Sequence, residues 1–424
     1  MGRCPSCGEW NTIVEEVIHT DYLKSPSPPV RAVSVDRIPE EDYSRISTGF
    51  DNLDLVLGGG LVPGQVVLIA GEPGIGKSTL LLQVSGTFEG EGPVLYVSGE
   101  ESPSQIAMRA KRVGTIDERV LILGETVFEH IERAFRDISP SLMILDSIQT
   151  IYSRELESSA GSISQVREVA FRTSEICKES GVPCFIVGQV TKEGAIAGPK
   201  VLEHIVDTVL SFEGERFNFH RVIKVAKNRF GQTGEVAVFK MSDRGLEEVK
   251  EPSAFFIDHR VRSPGSVIFP YTEGTKPILL EVQALVIPAL YTTPQRKTQG
   301  YDVGRLPLIL AVLEKEARIF TRDADVFVNI AGGIAVREPA CDLAVALAVA
   351  SSKKDQLIPE DTVVFGELGL AGEVRAVHFG EMRIEEARRF GFRRALVPKG
   401  QEIALEGMEV VPVSTIREAV EWVL

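Results

Sequence analysis

The chain has no apolar run approaching the roughly 20 residues that a membrane-spanning helix needs. Its first residues, MGRCPSCGEW, lack the charged and apolar regions of a secretory signal. Both absences predict a cytoplasmic protein without a membrane partner. Cysteine is scarce. The chain has five, with Cys4 and Cys7 in one Cys-x-x-Cys pair and Cys177, Cys184 and Cys341 scattered among apolar neighbours. That pattern excludes a disulfide framework and marks the scattered three as core residues. Basic excess is missing too: 46 Lys and Arg against 60 Asp and Glu leave a formal charge of −14. The surface is therefore no general coat for polyanions, and any nucleic-acid contact must come from local loops or a channel.

What is present divides the 424 residues into a short Cys-containing segment (1–20), a Pro/Ser-rich linker (21–44), a first domain (45–255) and a second (256–424). In the first domain, apolar strands alternate with helical stretches: Val66 to Ala70, Val94 to Ser98, Val120 to Leu123, Leu142 to Asp146 and Cys184 to Gly188. This alternation predicts an α/β fold with a mostly parallel central sheet. From Thr208 the strands come closer together (Thr208 to Phe212, Arg221 to Ala226, Glu235 to Lys240), which predicts antiparallel additions at the sheet edge. The second domain shows strands at Pro277 to Val286 and Val326 to Ile330. Its predicted helices run from Pro307 to Phe320 and from Pro339 to Ser351.

One motif dominates. Gly71, Glu72, Pro73, Gly74, Ile75, Gly76, Lys77 and Ser78 match G-x-x-x-x-G-K-[ST] between the strand VVLIA and the helix-like run that Thr79 opens. Glycines let such a loop turn its backbone N–H groups onto phosphates, the lysine reaches the β and γ oxygens, and the serine hydroxyl ligates Mg²⁺. ATP and Mg²⁺ are the implied ligands. Asp146, ending the apolar strand LMILD, is placed to hold the metal's water shell. Glu100 and Glu101 follow directly on another core strand and are candidates to orient or deprotonate the attacking water, with Glu100 favoured as base. The alternative for this pair is an acidic turn at a helix start.

The order and spacing of CPSCGEWNT, GEPGIGKSTLLLQ, YVSGEES, LDSIQT, QVTKEGAIAGPKVLEH, KNRFG and GEVRAVHFG resemble the bacterial RadA (Sms) recombination and repair family across essentially the whole chain. The resemblance implies a RecA-like P-loop core and an ATP-dependent motor on single-stranded DNA and recombination intermediates. It further implies action as a hexameric ring that extends heteroduplex, with a RecA-type recombinase as a possible partner. Lys227, Arg229 and Gly231 are similar to the K-x-R-x-G signature of ring-shaped replicative helicases, in which the basic pair reaches the neighbour's γ-phosphate; Arg229 is the better finger because a guanidinium clamps two oxygens. The alternative is a basic edge strand followed by a turn. Gln189 holds the position of the RecA-like switch glutamine, with a core-capping amide as the alternative. By the same likeness, residues 149–165 and 189–200 face the ring's channel, with Arg154, Lys192 and Lys200 as phosphate partners. Mobile loops without a ligand are the competing explanation. The rival function class is an ATP-gated assembly module resembling KaiC-type proteins.

Cys4 and Cys7 make half a zinc site, since a closed structural site needs four ligands. The family's upstream Cys-x-x-Cys is missing here, so zinc is expected only if that pair exists. Residues 326–351 and 363–397 resemble the Lon proteolytic domain, with Ala340 at the serine position and Glu381 near the lysine. Neither can do that chemistry. An inactive α+β scaffold is the expectation, with Lys353, Lys354, Arg375, Arg383, Arg388, Arg389, Arg393 and Arg394 available as a basic surface.

Overall fold

The computed structural model describes residues 44–189, 199–214, 220–258, 260–272, 277–289, 293–401 and 403–424. The first half runs α1 (Asp51–Leu57), β1 (Val66–Gly71), α2 (Lys77–Thr87), β2 (Val94–Ser98), α3 (Pro103–Val113), β3 (Val120–Gly124), α4 (Phe128–Ile138), β4 (Leu142–Asp146), α5 (Ile163–Ser180), β5 (Cys184–Gln189) and α6 (Pro199–Leu202). It continues through β6 (Thr208–Glu213), β7 (His220–Asn228), β8 (Val236–Ser242) and β9 (Gly245–Glu248). These strands form one nine-stranded sheet in the order β3-β2-β4-β5-β1-β6-β7-β8-β9.

From β3 to β6 every pairing is parallel; β7, β8 and β9 add antiparallel. The central strands β1, β2, β4 and β5 are near-continuous apolar runs, as strands buried on both faces are. β1, β2 and β4 are buried at every position. One expectation is corrected: β6 joins the parallel set through β1. β7, β8 and β9 add antiparallel beyond it as expected, and β7, read alternatively as a basic edge strand, lies between β6 and β8.

The second half follows α7 (Pro252–Ile257): β10 (Ser266–Thr272), β11 (Pro277–Pro288), β12 (Arg296–Gln299), α8 (Arg305–Ala317), β13 (Ala324–Ile330), α9 (Asp342–Lys354), β14 (Thr362–Val364), β15 (Glu367–Leu368), β16 (Val374–Arg375), α10 (Gly380–Arg389), β17 (Arg394–Pro398), β18 (Glu409–Val413) and α11 (Ile416–Val423). A mixed sheet, β12-β13-β11-β10-β14-β17-β18, packs on α9, which is buried from Asp342 to Ser351. Pro339 sits in a short 3-10 turn just ahead of α9 and not in its first turn. The division expected at 255/256 falls inside α7. That helix leans on the second sheet: Ser253 Oγ accepts from Leu279 N at 3.1 Å, and Phe256 belongs to the second core together with Val222 and Val238 from the first sheet.

Candidate ATP site

The phosphate loop connects the end of β1 to α2. Its fold follows from two left-handed glycines, Gly74 at φ +78° and Gly76 at φ +118°. A Cβ at Gly74 would meet open space, whereas one at Gly76 would stand 2.7 Å from Met241 Cε. Gly74 is therefore kept for its backbone angle and Gly76 for the angle and the room as well. The Lys77 ammonium donates to the carbonyls of Gly71 and Glu72, at 2.8 Å each. Burial lowers its pKa, opposed by the charges of Asp146 and Glu100.

Parallel pairing of β1, β5, β4 and β2 brings the carboxyl ends of these strands to one rim, where α/β sheets bind ligands. Ser78 Oγ donates to Asp146 Oδ1 at 3.0 Å, and the Tyr96 hydroxyl donates to Asp146 Oδ2 at 2.5 Å. A hydroxyl and a carboxylate side by side form a donor set for a hard cation that also takes phosphate oxygens, so these residues fit a nucleotide-borne Mg²⁺. Among the described residues, no cluster of His, Cys, Asp or Glu could hold a metal without such help.

Glu100 and Glu101 are held differently. Glu100 Oε1 accepts from the Ser147 hydroxyl and from Gln189 Nε2, the latter at 2.9 Å. Glu101 is tied instead to Arg109, 2.7 Å away, and its own N–H donates to Ser98 Oγ. A cleft of about 350 Å³ gathers the loop, Thr79, both glutamates, Asp146 and Gln189. It also contains Arg109 and Arg112 of α3, which sequence reasoning missed. The available signal was the Ser102–Gln105 capping box that starts α3, because it places Gln105, Arg109 and Arg112 on one helix face at i, i+4 and i+7. Tyr96 was missed because in VLYVS it passes for one more apolar strand residue.

Arg229 lies elsewhere. Asp207 N donates to Val66 O and its carboxylate accepts from Val66 N, at the start of β1. Arg229 pairs with that same carboxylate at 3.2 Å with its side chain 50% exposed. The loop begins at the other end of β1, roughly 17 Å away at about 3.3 Å per residue. Lys227 turns inward, its ammonium on the carbonyls of Val206 and Glu203, and burial lowers its pKa. Gly231 is small for a packing reason, since a Cβ there would stand 3.0 Å from Gly58 Cα.

Of the proposed DNA contacts, Arg154 is exposed in a loop whose backbone is fastened by buried Gln165 to Ser153, Leu156 and Ser158. Lys192 lies outside the described residues, as do Cys4 and Cys7, and of Lys200 only the backbone in α6 is described. In the second half, Ala340 and Cys341 are buried, and burial drives the Cys341 thiol pKa well up, away from nucleophilic use. Glu381 is exposed, while Arg383 is the buried group, 2.5 Å from Glu338. Arg375, Arg389 and Arg394 are paired with carboxylates, so the expected basic surface is largely neutralised.

The family model described as an AAA domain matches residues 34–195, and that of subunit ChlI of Mg-chelatase matches residues 309–401. A DNA repair protein RadA from Aquifex aeolicus is 65% identical over 99% of this chain and 95% of its own. Those from Pseudomonas aeruginosa (46%) and Bacillus subtilis (44%) each cover 99% of this chain and 94% of their own. A solved KaiC-like protein from Pyrococcus horikoshii is 22% identical, covering 48% of this chain and 98% of its own with a TM-score of 0.41. Among the described residues no helix is long and apolar enough to cross a membrane. Similarity of this degree from end to end decides the matter, and the chain belongs to the family of DNA repair protein RadA.

Proposed function

We propose that this chain is an ATP-driven motor on single-stranded DNA in recombination and repair, working as a ring oligomer. Residues 45–255 act as the motor and residues 256–424 as an inactive Lon-like scaffold. The observation that carries the reading is the hydrogen bond from Gln189 to Glu100 at 2.9 Å. It ties the candidate base to the last residue before the 190–198 segment, so a change at the γ-phosphate that alters the partners of Glu100 alters the anchor of that segment. Arg154, Lys192 and Lys200 then meet the DNA backbone.

Lys77 and the loop N–H groups bind and orient the β and γ phosphates, and Glu100 takes the proton of the attacking water. Mg²⁺ held by Ser78 and Asp146 would neutralise phosphate charge. Arg229 lies too far from its own loop to serve it and is exposed at the rim, which supports a finger acting on the next subunit's nucleotide. The test is the ATPase rate with and without saturating single-stranded DNA. Stimulation by DNA is expected, and a rate indifferent to DNA despite normal hydrolysis would favour an ATP-gated assembly module instead.

A further inference from the structure

β7 is antiparallel to β6, so its first residues return to the rim that carries the phosphate loop. Arg221, the second residue of β7, is 5% exposed and donates from Nε to the carbonyl of Ile75 at 2.6 Å. Its Nη1 donates to His220 O at 2.7 Å. Arg221 is not among the residues lining the cleft. It therefore meets the loop from outside the cleft.

The Ile75–Gly76 peptide is trans, the only cis bond among the described residues being Asp146–Ser147. In a trans peptide the C=O and N–H point in opposite directions. A guanidinium that captures the Ile75 carbonyl behind the loop therefore turns the Gly76 N–H forward into the cleft. The charge on the guanidinium also polarises that peptide and strengthens its N–H as a donor. Gly214, after β6, leaves space for this arrangement: a Cβ there would stand 3.0 Å from Arg221 Cδ and 2.7 Å from His220 O.

We propose that Arg221 is a positioning residue for the phosphate loop, a buried prop that holds the Ile75 carbonyl outward so that the loop N–H groups converge on the β-phosphate. The role rests on the loop being the ATP site. Removing the guanidinium lets that peptide rotate toward other partners, and the nucleotide then has to reorder the loop as it binds. A charge-assisted hydrogen bond of this kind corresponds to roughly 10- to 100-fold in affinity.

The experiment measures binding of a fluorescent ATP analogue to the full-length protein, beside a urea unfolding curve for each variant. Arg221→Gln should weaken ATP by about 10- to 100-fold while kcat at saturating ATP falls much less, the split expected of a group that presets the loop. Arg221→Lys, which keeps a charge behind the loop, should recover part of the loss. Folded Arg221→Gln binding ATP within about threefold of the parent overturns the proposal. Should that variant not fold, Gly214→Ala, which crowds the guanidinium without removing it, takes its place; unchanged ATP affinity there overturns the proposal equally. Lys77→Ala is the control. If it too binds ATP normally, the site itself is wrong, whereas a weak Lys77→Ala with a normal Arg221→Gln removes only the role of Arg221.

Discussion

Replacing Glu100 by glutamine tests two neighbouring carboxylates that are held by different partners. Glutamine keeps the length of the side chain and a carbonyl oxygen that can accept from Ser147 and Gln189, so the cleft should hold its shape. What disappears is the basic oxygen that would take the water's proton under the proposed mechanism. Losing a general base lowers turnover by about 10²- to 10⁴-fold, or about 2.7 to 5.4 kcal/mol of barrier. Binding of ATP should change by less than about threefold, because Lys77, the loop and Asp146 are untouched. Glu101→Gln breaks the 2.7 Å pair with Arg109 instead, in which the Glu101 side chain is 37% exposed. A pair open to water on its glutamate side, with Arg109 14% exposed, contributes about 1 kcal/mol, and turnover should stay within about fivefold. The assay is phosphate release at saturating ATP and DNA, with nucleotide affinity measured separately. Normal turnover in Glu100→Gln together with a hundredfold loss in Glu101→Gln would exchange the two roles and refute the argument from their partners.

Tyr96→Phe removes a buried hydroxyl 2.5 Å from Asp146 Oδ2 and should cost about 1.5 to 3 kcal/mol in urea unfolding, as loss of a hydrogen bond to a charged group does; a cost below about 0.5 kcal/mol would mean the carboxylate is satisfied without it. His220, its ring tilted against that of Phe255 with centroids 3.9 Å apart, is held neutral by burial and by the nearby Lys240 and Arg221 charges, its pKa down from 6.5 to about 4. The unfolded chain takes up that proton first, so the stability present above about pH 6.5 should be lost as the pH falls towards 4. His220→Asn should flatten that part of the stability profile, and an unchanged profile would assign the loss to other groups. Arg229→Ala should fold and bind ATP within about threefold of the parent, since the arginine side chain is half exposed and the buried Asp207 carboxylate keeps Val66 N–H and Lys178 as partners, yet lose hydrolysis. Mixed with Lys77→Ala it should regain part of the activity at interfaces pairing an intact loop with an intact arginine; a dead mixture of co-assembled subunits would make Arg229 structural.

The parallel core was legible because its strands are uninterrupted apolar runs separated by helix-length segments, and Leu142–Asp146 needed no adjustment at either end. The phosphate loop was legible because its glycines and lysine are required by chemistry at fixed spacing. Tyr96, Arg109 and Arg221 were not, because each acts through a partner 50, 8 or 146 residues away. Only strand order brings the two distant pairs together. Position within the sheet was likewise hidden: β7 carries three basic residues, Arg221, Lys224 and Lys227, which suggests an exposed edge. In the fold each is consumed by carbonyls, those of Ile75, Ala335 and Val206 respectively. The short strands of the second sheet, such as β14 with three residues and β15 with two, were too brief for their periodicity to register.

The proposed loop prop and the proposed finger are the two ends of one structural stretch. Arg221 near the start of β7 touches its own phosphate loop, and Arg229 just beyond its end lies at the opposite rim. Between them Lys224 donates to Ala335 O at 3.1 Å, joining the strand to the second half of the chain. β7 is hydrogen-bonded to β6 on one side and β8 on the other, and a strand held on both sides moves with its sheet more readily than it bends. Eight residues span roughly 26 Å at about 3.3 Å each, a distance no side chain bridges, so one protomer's loop and finger cannot serve the same nucleotide. If Arg229 is the proposed finger, a ring would give every loop an arginine from its neighbour. The strand that sets the loop of one site would then also set the position of the arginine at the next, and a shift of the second half against Lys224 would reach both sites at once.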